Sequence, residues 1–350
     1  MIRLKPQTIK DLKKLILQKK TICFGTGIQG MRAPVYFQNW DLSDRLIAFC
    51  DNDLLKIGSE IAYADRKIPV IAPPGLLEYD PDKTLILITS LAYESIYDQL
   101  FRLLADYDYT VTSLDETADA ELDSSSYNAV VKESDKQMIP KIIHYAWFGG
   151  DKPKAIADNI AGWKKICPDY HFIEWNNDNY DVHKNRYMKQ AYERHAWGFV
   201  PDYMRLDALY QYGGIYLDTD IELIKKPDEL LYQNCFASVD ASLTMNLGSG
   251  FGCRAGEPII KELRDYYDTV DFIREDGSID KTSCNTHSLK VLTRYGVSIN
   301  NRLQNVDGMN IYPMVFQGKN QYTGKIRVTD KTFWIHHGNM SWFRINRGGV

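Results

Sequence analysis

The run Tyr212-Gly213-Gly214-Ile215-Tyr216-Leu217-Asp218-Thr219-Asp220-Ile221-Glu222-Leu223 constrains this chain more than any other stretch. As a strand it would put Ile215, Leu217, Thr219 and Ile221 on one face and Tyr216, Asp218, Asp220 and Glu222 on the other. Two carboxylates facing the same way on an apolar strand repel each other. A divalent cation removes that conflict, and hard carboxylate oxygens suit Mg²⁺ or Mn²⁺ with positions left for phosphate oxygens. Asp218-Thr219-Asp220 therefore reads as a metal–diphosphate clamp. A solvated strand end is the plainer reading of an isolated Asp-x-Asp. The apolar run, the Gly-Gly turn and the helix before that turn favour the clamp.

The helix is Pro201-Asp202-Tyr203-Met204-Arg205-Leu206-Asp207-Ala208-Leu209-Tyr210, with Pro in its first turn and Gly213 past its end. Asp202 and Arg205 are three apart and share a face. They are an ordinary surface pair, or Arg205 meets a phosphate and Asp202 sugar hydroxyls, beside the carboxylates that follow.

The chain has 350 residues, enough for two domains. Its net charge of −4, with no long basic block, argues against nucleic-acid binding. The six cysteines form no Cys-x-x-Cys pair. Their apolar surroundings suggest reduced, buried thiols. Neither a secretory signal nor a membrane span is visible, so the expected location is the cytoplasm, peripheral to a membrane at most.

The N-terminal part reads as a small α/β domain over residues 1–118. A basic amphipathic helix over 1–20 is followed by strands Thr21–Phe24, Leu46–Cys50 and Thr84–Thr89, and a helix from about Tyr93. Gly25-Thr26-Gly27-Ile28-Gln29-Gly30 fits G-x-G-x-x-G, and Asp51 follows about 20 positions later, as a ribose-binding βαβ unit requires. Gly25, Gly27, Gly30 and Asp51 are thus a candidate second nucleotide site, or the glycines only make a tight strand–helix turn. Residues 119–137 lose apolar periodicity and read as a linker.

The second domain, 138–350, opens with Ile139-Pro140-Lys141-Ile142-Ile143-His144-Tyr145-Ala146-Trp147. Ile142–Ala146 is a buried strand, and Trp147 at its carboxyl end is placed to stack on a base. His144 is either nearby in the site or a core histidine. Asn246-Leu247-Gly248-Ser249-Gly250 lacks a P-loop lysine and suits close approach to a sugar. The final segment carries His336-His337 and Ser341-Trp342. Adjacent histidines on a strand point opposite ways, so at most one reaches a given site.

Taken in order, these motifs make residues 139–342 resemble the retaining glycosyltransferases of family 32. Pro201 departs from the small residue usual before the family's Asp. The N-terminal domain lies outside the resemblance and is loosely similar to half-Rossmann domains of bacterial polysaccharide enzymes. The resemblance implies a GT-A-type α/β fold, a nucleoside-diphosphate sugar donor (a UDP-sugar favoured), Mn²⁺ or Mg²⁺, and a saccharide acceptor, lipid-linked in some cases. Capsular or other surface polysaccharide synthesis is the family habit. It implies that Asp202, Arg205, Asp218 and Asp220 are catalytic. Donor binding falls to His144, Trp147, Tyr216, Asn246, Ser341 and Trp342, and metal binding to Asp220, Asp218 and one of His336 and His337. Two other classes remain open: a nicotinamide-dependent oxidoreductase built on Gly25–Gly30, and a non-catalytic nucleotide-sugar-binding module. The first leaves the carboxylate clamp without a role.

Overall fold

The computed structural model describes residues 1–27, 29–63, 66–124, 130–318, 324 and 326–338. The chain divides into two compact units. Unit 1 comprises Met1–Ser126 with Ala241–Leu243 and Ser298–Arg302, and unit 2 comprises the remainder.

Unit 1 contains, in order, β1 (Ile2–Arg3), α1 (Ile9–Gln18), β2 (Lys20–Phe24), α2 (Ala33–Asn39), β3 (Leu46–Cys50), β4 (Glu60–Tyr63), β5 (Arg66–Ile71), β6 (Thr84–Ile88), α3 (Tyr93–Leu103), β7 (Thr110–Ser113) and α4 (Leu114–Ser124). Its sheet has the order β1-β7-β6-β2-β3-β5-β4, and every pairing is parallel except β4 with β5. Strands β2 and β6 are almost wholly buried, which explains their unbroken apolar runs. The helix expected over 1–20 starts only at Ile9, where Thr8 caps it by accepting from the Asp11 N–H. It buries Ile9, Leu12 and Ile16, so it is a packing helix.

Residues 119–124, expected to begin a linker, are the second half of α4. This helix escaped the hydropathy pattern because its buried stripe is half polar: Leu114, Thr117, Ala118 and Glu121. Glu121 is buried yet partnered, accepting from the backbone N–H groups of Ile9 and Asn301 and pairing with Arg302 at 3.0 Å.

Unit 2 continues with β8 (Ile142–Ala146), α5 (Lys154–Ile166), β9 (His171–Trp175), α6 (Arg186–Glu193), α7 (Pro201–Tyr212), β10 (Gly214–Tyr216), β11 (Ile221–Leu223), β12 (Cys235–Ser238), β13 (Phe251–Cys253), α8 (Pro258–Asp265), α9 (Cys284–Leu292), β14 (Gln304–Val306), β15 (Met309–Tyr312) and β16 (Trp334–His336). Its main sheet has the order β14-β15-β12-β13-β10-β8-β9. Within it β9, β8 and β10 run parallel, so Trp147, Asn176 and Leu217 leave the sheet at one edge. Strand β13 enters antiparallel beside β10, with Phe251 opposite Tyr216. The Gly-rich loop before β13 therefore reaches that same edge.

The expected continuous strand from Ile215 to Leu223 is two strands in two sheets. Strand β10 ends at Tyr216, and a turn closed by Ile221 N–H donating to the Asp218 carbonyl at 3.0 Å carries the chain away. Strand β11 then pairs antiparallel with β16, Ile221 opposite His336. Both carboxylates sit in the turn, where they need not share a pleat. The core beneath joins Ile143, Tyr145, Trp163, Ile215, Leu217, Phe236, Phe316 and Trp334. Trp163 Nε1 donates to the Ile221 carbonyl at 2.9 Å and pins the turn from below. Fractionally buried or not, all six cysteines are free thiols.

Candidate active site

Helix α7 is buried almost all round, from Asp202 to Leu209. Charges in that position need partners. Asp207 accepts from Tyr180 and Gln211, each at 2.7 Å, and pairs with Lys184 and Arg264. Asp202 and Arg205 face the other way, toward the carboxyl edge of β10. Arg205 Nη2 lies 3.3 Å from Asp202 Oδ1 and 3.4 Å from Asp218 Oδ1. Its Nε donates to the Pro201 carbonyl at 3.1 Å. The guanidinium lies over the Tyr216 ring at 4.8 Å, a cation–π contact that holds the fork flat. Arg205 Nη1 is buried and has no hydrogen-bond partner.

Tyr216 donates its hydroxyl to Asp218 Oδ1 at 3.1 Å, and burial keeps that phenol protonated by raising its pKa. Burial also raises the Asp218 carboxyl against the pull of Arg205, with Asp220 adding repulsion. Asp202 is pushed up to about 7, first by burial and then by Asp218, while Arg205 opposes both.

Asp218, Asp220 and His336 each offer a ligand atom, and all three atoms lie within 4.8 Å of one another. His336 Nε2 is 3.3 Å from Asp220 Oδ1. Burial disfavours its protonation, but Asp220, Asp218 and Asp240 outweigh that and its pKa rises. Two carboxylate oxygens and one imidazole nitrogen form a donor set suited to a divalent ion. His337 faces the opposite way, with Nε2 2.9 Å from Glu222. The β11–β16 register thus separates the two histidines: His336 joins the carboxylates and His337 does not.

His144 is not a donor-site residue. It is fully buried in β8, accepting on Nδ1 from Trp175 Nε1 at 3.1 Å and, through Nε2–H, donating to the Gly213 carbonyl at 2.8 Å. Its ring stacks on Trp175 at 6.0 Å. These bonds tie β8, β9 and the glycine turn together. The turn admits nothing larger, since a Cβ on Gly214 would lie 2.7 Å from the Ile142 carbonyl and 3.0 Å from His144 Nε2.

Burial lowers the His144 pKa to about 4. A depressed histidine stabilises the fold fully above its unfolded value near 6.5, and that contribution is lost as pH falls toward 4. Urea unfolding at pH 7 and pH 5 should therefore differ less in His144→Gln than in the wild type, by about 2 kcal/mol. Equal differences would contradict the buried neutral imidazole.

Trp147 sits at the end of β8, partly exposed, with Nε1 donating to the Gly150 carbonyl at 2.8 Å. Its position is the one expected. Asn246 spends its side chain on its own loop, where Oδ1 accepts from Gly248 N–H at 2.9 Å and Ser249 N–H at 3.2 Å. That capping sets Gly248 against Asp218: a Cβ there would lie 2.4 Å from Asp218 Oδ2. Gly248→Ala should displace the Asp218 carboxylate and weaken divalent-metal affinity about tenfold or more in a calorimetric titration. Unchanged affinity would show that Asp218 has room to move. Ser341 and Trp342 lie outside the described residues.

Three neighbours carried no sequence signal. Tyr187 on α6 donates to Asp202 Oδ2 at 3.4 Å. Asn285 on α9 accepts from the Leu247 N–H at 3.2 Å. Asp240 accepts from Asn246 at 3.3 Å.

In unit 1, Asp51 is engaged by its own loop. It accepts from the Thr26 N–H at 2.7 Å, from the Thr26 hydroxyl, and from the Asp53 N–H at 2.9 Å. A Cβ on Gly30 would lie 1.8 Å from the Gly25 carbonyl. Close packing within the turn thus accounts for Gly30, a φ of +107° and the Thr89 carbonyl 3.0 Å from a Cβ account for Gly25, and nothing lies within 4 Å of a Cβ on Gly27.

Residues 153–237 match the family described as glycosyltransferase sugar-binding region containing DXD motif. Inositol phosphoceramide mannosyltransferase 3 of Schizosaccharomyces pombe is 30% identical over 114 residues, 30% of this chain and 31% of that protein. Mannosyl phosphorylinositol ceramide synthase CSH1 of Saccharomyces cerevisiae is 31% identical over 129 residues, 34% of this chain and 33% of that protein. The matched stretch thus spans about a third of these relatives. The PaToxG glycosyltransferase structure overlaps at 15% identity and a TM-score of 0.36, covering 45% of this chain and 68% of that one. Asp202, Arg205, Asp218 and Asp220 all lie inside the matched stretch, so this part of the chain is similar to the DXD-containing glycosyltransferases of the family-32 type.

Proposed function

We propose that unit 2 moves a sugar from a nucleoside-diphosphate donor, a UDP-sugar first among them, to a saccharide acceptor with retention at the anomeric carbon. The observation that carries this reading is the convergence of Asp218, Asp220 and His336 beside Arg205. The three ligand atoms fit a divalent ion, Mn²⁺ ahead of Mg²⁺ because one donor is an imidazole nitrogen. When bound, such an ion neutralises charge on the departing diphosphate.

The chain's own residues do the rest. Arg205 has one buried donor without a protein partner, Nη1, which suits a phosphate or sugar oxygen. Its other donors are held by Asp202, Asp218 and the Pro201 carbonyl, so the fork is aimed before substrate arrives. Tyr216 keeps Asp218 oriented. Trp147 offers a ring for the base at the end of β8. Asp202 is bound by Arg205 and Tyr187 and burial raises its carboxyl above the usual carboxylate range, which makes it a poor covalent nucleophile. A same-face transfer fits better, with the departing phosphate oxygen taking the acceptor proton.

The two relatives' names pair mannosyl transfer with a phosphoinositol ceramide acceptor. A lipid-linked saccharide acceptor in surface polysaccharide assembly, reached from the cytoplasmic face of a membrane, is the corresponding reading here. Among the described residues no helix is long and apolar enough to cross a membrane.

The test is release of nucleoside diphosphate from a panel of sugar nucleotides, with Mn²⁺ and with chelator. Metal-dependent release from a subset of donors is expected. No release from any donor, with nicotinamide binding that survives chelation, would turn the assignment toward an oxidoreductase.

A further inference from the structure

The turn that carries Asp218 and Asp220 is held by its backbone as well as by its side chains. The Asp218 carbonyl accepts from the Ile221 N–H at 3.0 Å, inside the turn. The Asp220 carbonyl accepts from the His337 N–H at 3.2 Å, which extends the β11–β16 pairing. The Ile221 carbonyl accepts from the Trp163 indole at 2.9 Å, deep in the core. The Thr219 carbonyl accepts from Asn159 Nδ2 at 3.2 Å. Backbone or core supplies the first three of these donors. The fourth is a single amide side chain, partly exposed on α5.

Asn159 and Trp163 are four apart on α5 and so address the turn from one helix face. Trp163 and Ile160 are buried, while Asn159 stands at the rim of that face, where no apolar pattern marks it. Its amide can meet a carbonyl only through the NH₂ end, because the other end is an acceptor. The peptide it holds joins Thr219 to Asp220 and therefore lies between the two site carboxylates. With that donor gone, the Thr219 carbonyl can turn to water, and ψ of Thr219 and φ of Asp220 gain freedom together. The ligand atoms of Asp218, Asp220 and His336, which lie within 4.8 Å of one another, would then spend less of their time converged.

We infer that Asn159 is a positioning residue for the divalent-ion site. It acts through the Thr219 carbonyl on the turn that presents Asp218 and Asp220, not on the ion itself. The inference rests on the metal reading given above and names a residue on which the affinity of that site depends. Outer partners that orient a metal's ligands are worth roughly 10- to 100-fold in affinity. One neutral amide on one peptide belongs at the low end of that range, about tenfold. The three ligands themselves remain when Asn159 is replaced, so excess metal should refill the site.

The test titrates the full chain with Mn²⁺ and follows free Mn²⁺ by its EPR signal. Asn159→Leu keeps the size of the side chain and removes the donor, and Asn159→Ser, too short to reach the carbonyl, is the second variant. Each should bind Mn²⁺ about tenfold more weakly than the wild type. Asp158→Asn, next on the same helix but exposed and paired with Lys154 at 2.6 Å, is the control and should stay within about twofold of the wild type. In donor turnover the half-saturating Mn²⁺ concentration should rise about tenfold while the rate at saturating Mn²⁺ stays within about twofold. A folded Asn159 variant with wild-type Mn²⁺ affinity, or an equal loss in Asp158→Asn, overturns the proposal and leaves the metal site standing. A wild type that binds no Mn²⁺ overturns the metal reading and this inference with it.

Discussion

Asp220→Ala is expected to lose metal-dependent donor turnover by roughly 10³-fold or more while its melting temperature holds or rises. Asp220 lies in the turn between two sheets, partly exposed, with its Oδ1 3.3 Å from His336 Nε2. The substitution removes one of three converging ligand atoms. It also relieves repulsion on Asp218, whose carboxyl Asp220 pushes upward after burial has done so. Function and stability should therefore move apart, which a residue of purely structural value would not allow. Donor turnover with Mn²⁺ and a calorimetric scan on the same preparation check both halves. Wild-type turnover in the variant would remove Asp220 from the site.

Arg205→Lys should cut kcat/KM about 10²- to 10³-fold with the fold retained. Lysine keeps a positive charge but not a planar fork that serves the Pro201 carbonyl, Asp202, Asp218 and one further acceptor together. Arg205→Met is the harsher change. It strands the buried Asp202 near the partly exposed Asp218, where losing the common cation costs about 3 kcal/mol, the low end for a buried charge because solvent reaches Asp218. Chemical unfolding of the two variants separates the cases: Lys near wild type, Met well below. If both unfold like the wild type, Arg205 does not hold the two carboxylates.

Local chemistry made several elements legible in advance. The apolar run of β8, the Pro at the start of α7 and the glycines after it specify strand, helix and turn by themselves. Asp202 and Arg205, three apart on that helix, do share a face, where their side chains meet at 3.3 Å. The α/β class follows from the same signals.

What the sequence hid depended on partners distant along the chain. Period-2 alternation placed Asp218 and Asp220 on one strand face, but a turn brings them together, because β11 pairs with β16 over a hundred residues later. That pairing also decides which of two adjacent histidines joins them. Alternation required them to diverge, and only the register of Ile221 against His336 selects one. His144 next to a suspected base-stacking Trp147 suggested a ligand contact, and Trp175 on the neighbouring strand makes it a core bridge. The stripe of α4 is half polar, and burial of Glu121 is possible only because Ile9, Asn301 and Arg302 come to it. Three carboxylate or imidazole ligands drawn from one turn and one remote strand are beyond any spacing rule.

The central claim is that Asp218, Asp220 and His336 hold a divalent ion that receives the donor's diphosphate. Anomalous scattering at the manganese edge, from crystals of the full chain grown with Mn²⁺ and a nucleoside diphosphate, tests it most directly. One peak is expected within ligand distance of all three side chains, with diphosphate oxygens beside it and Arg205 Nη1 on the same group. A peak elsewhere, or nucleotide bound with no peak among these residues, would contradict it.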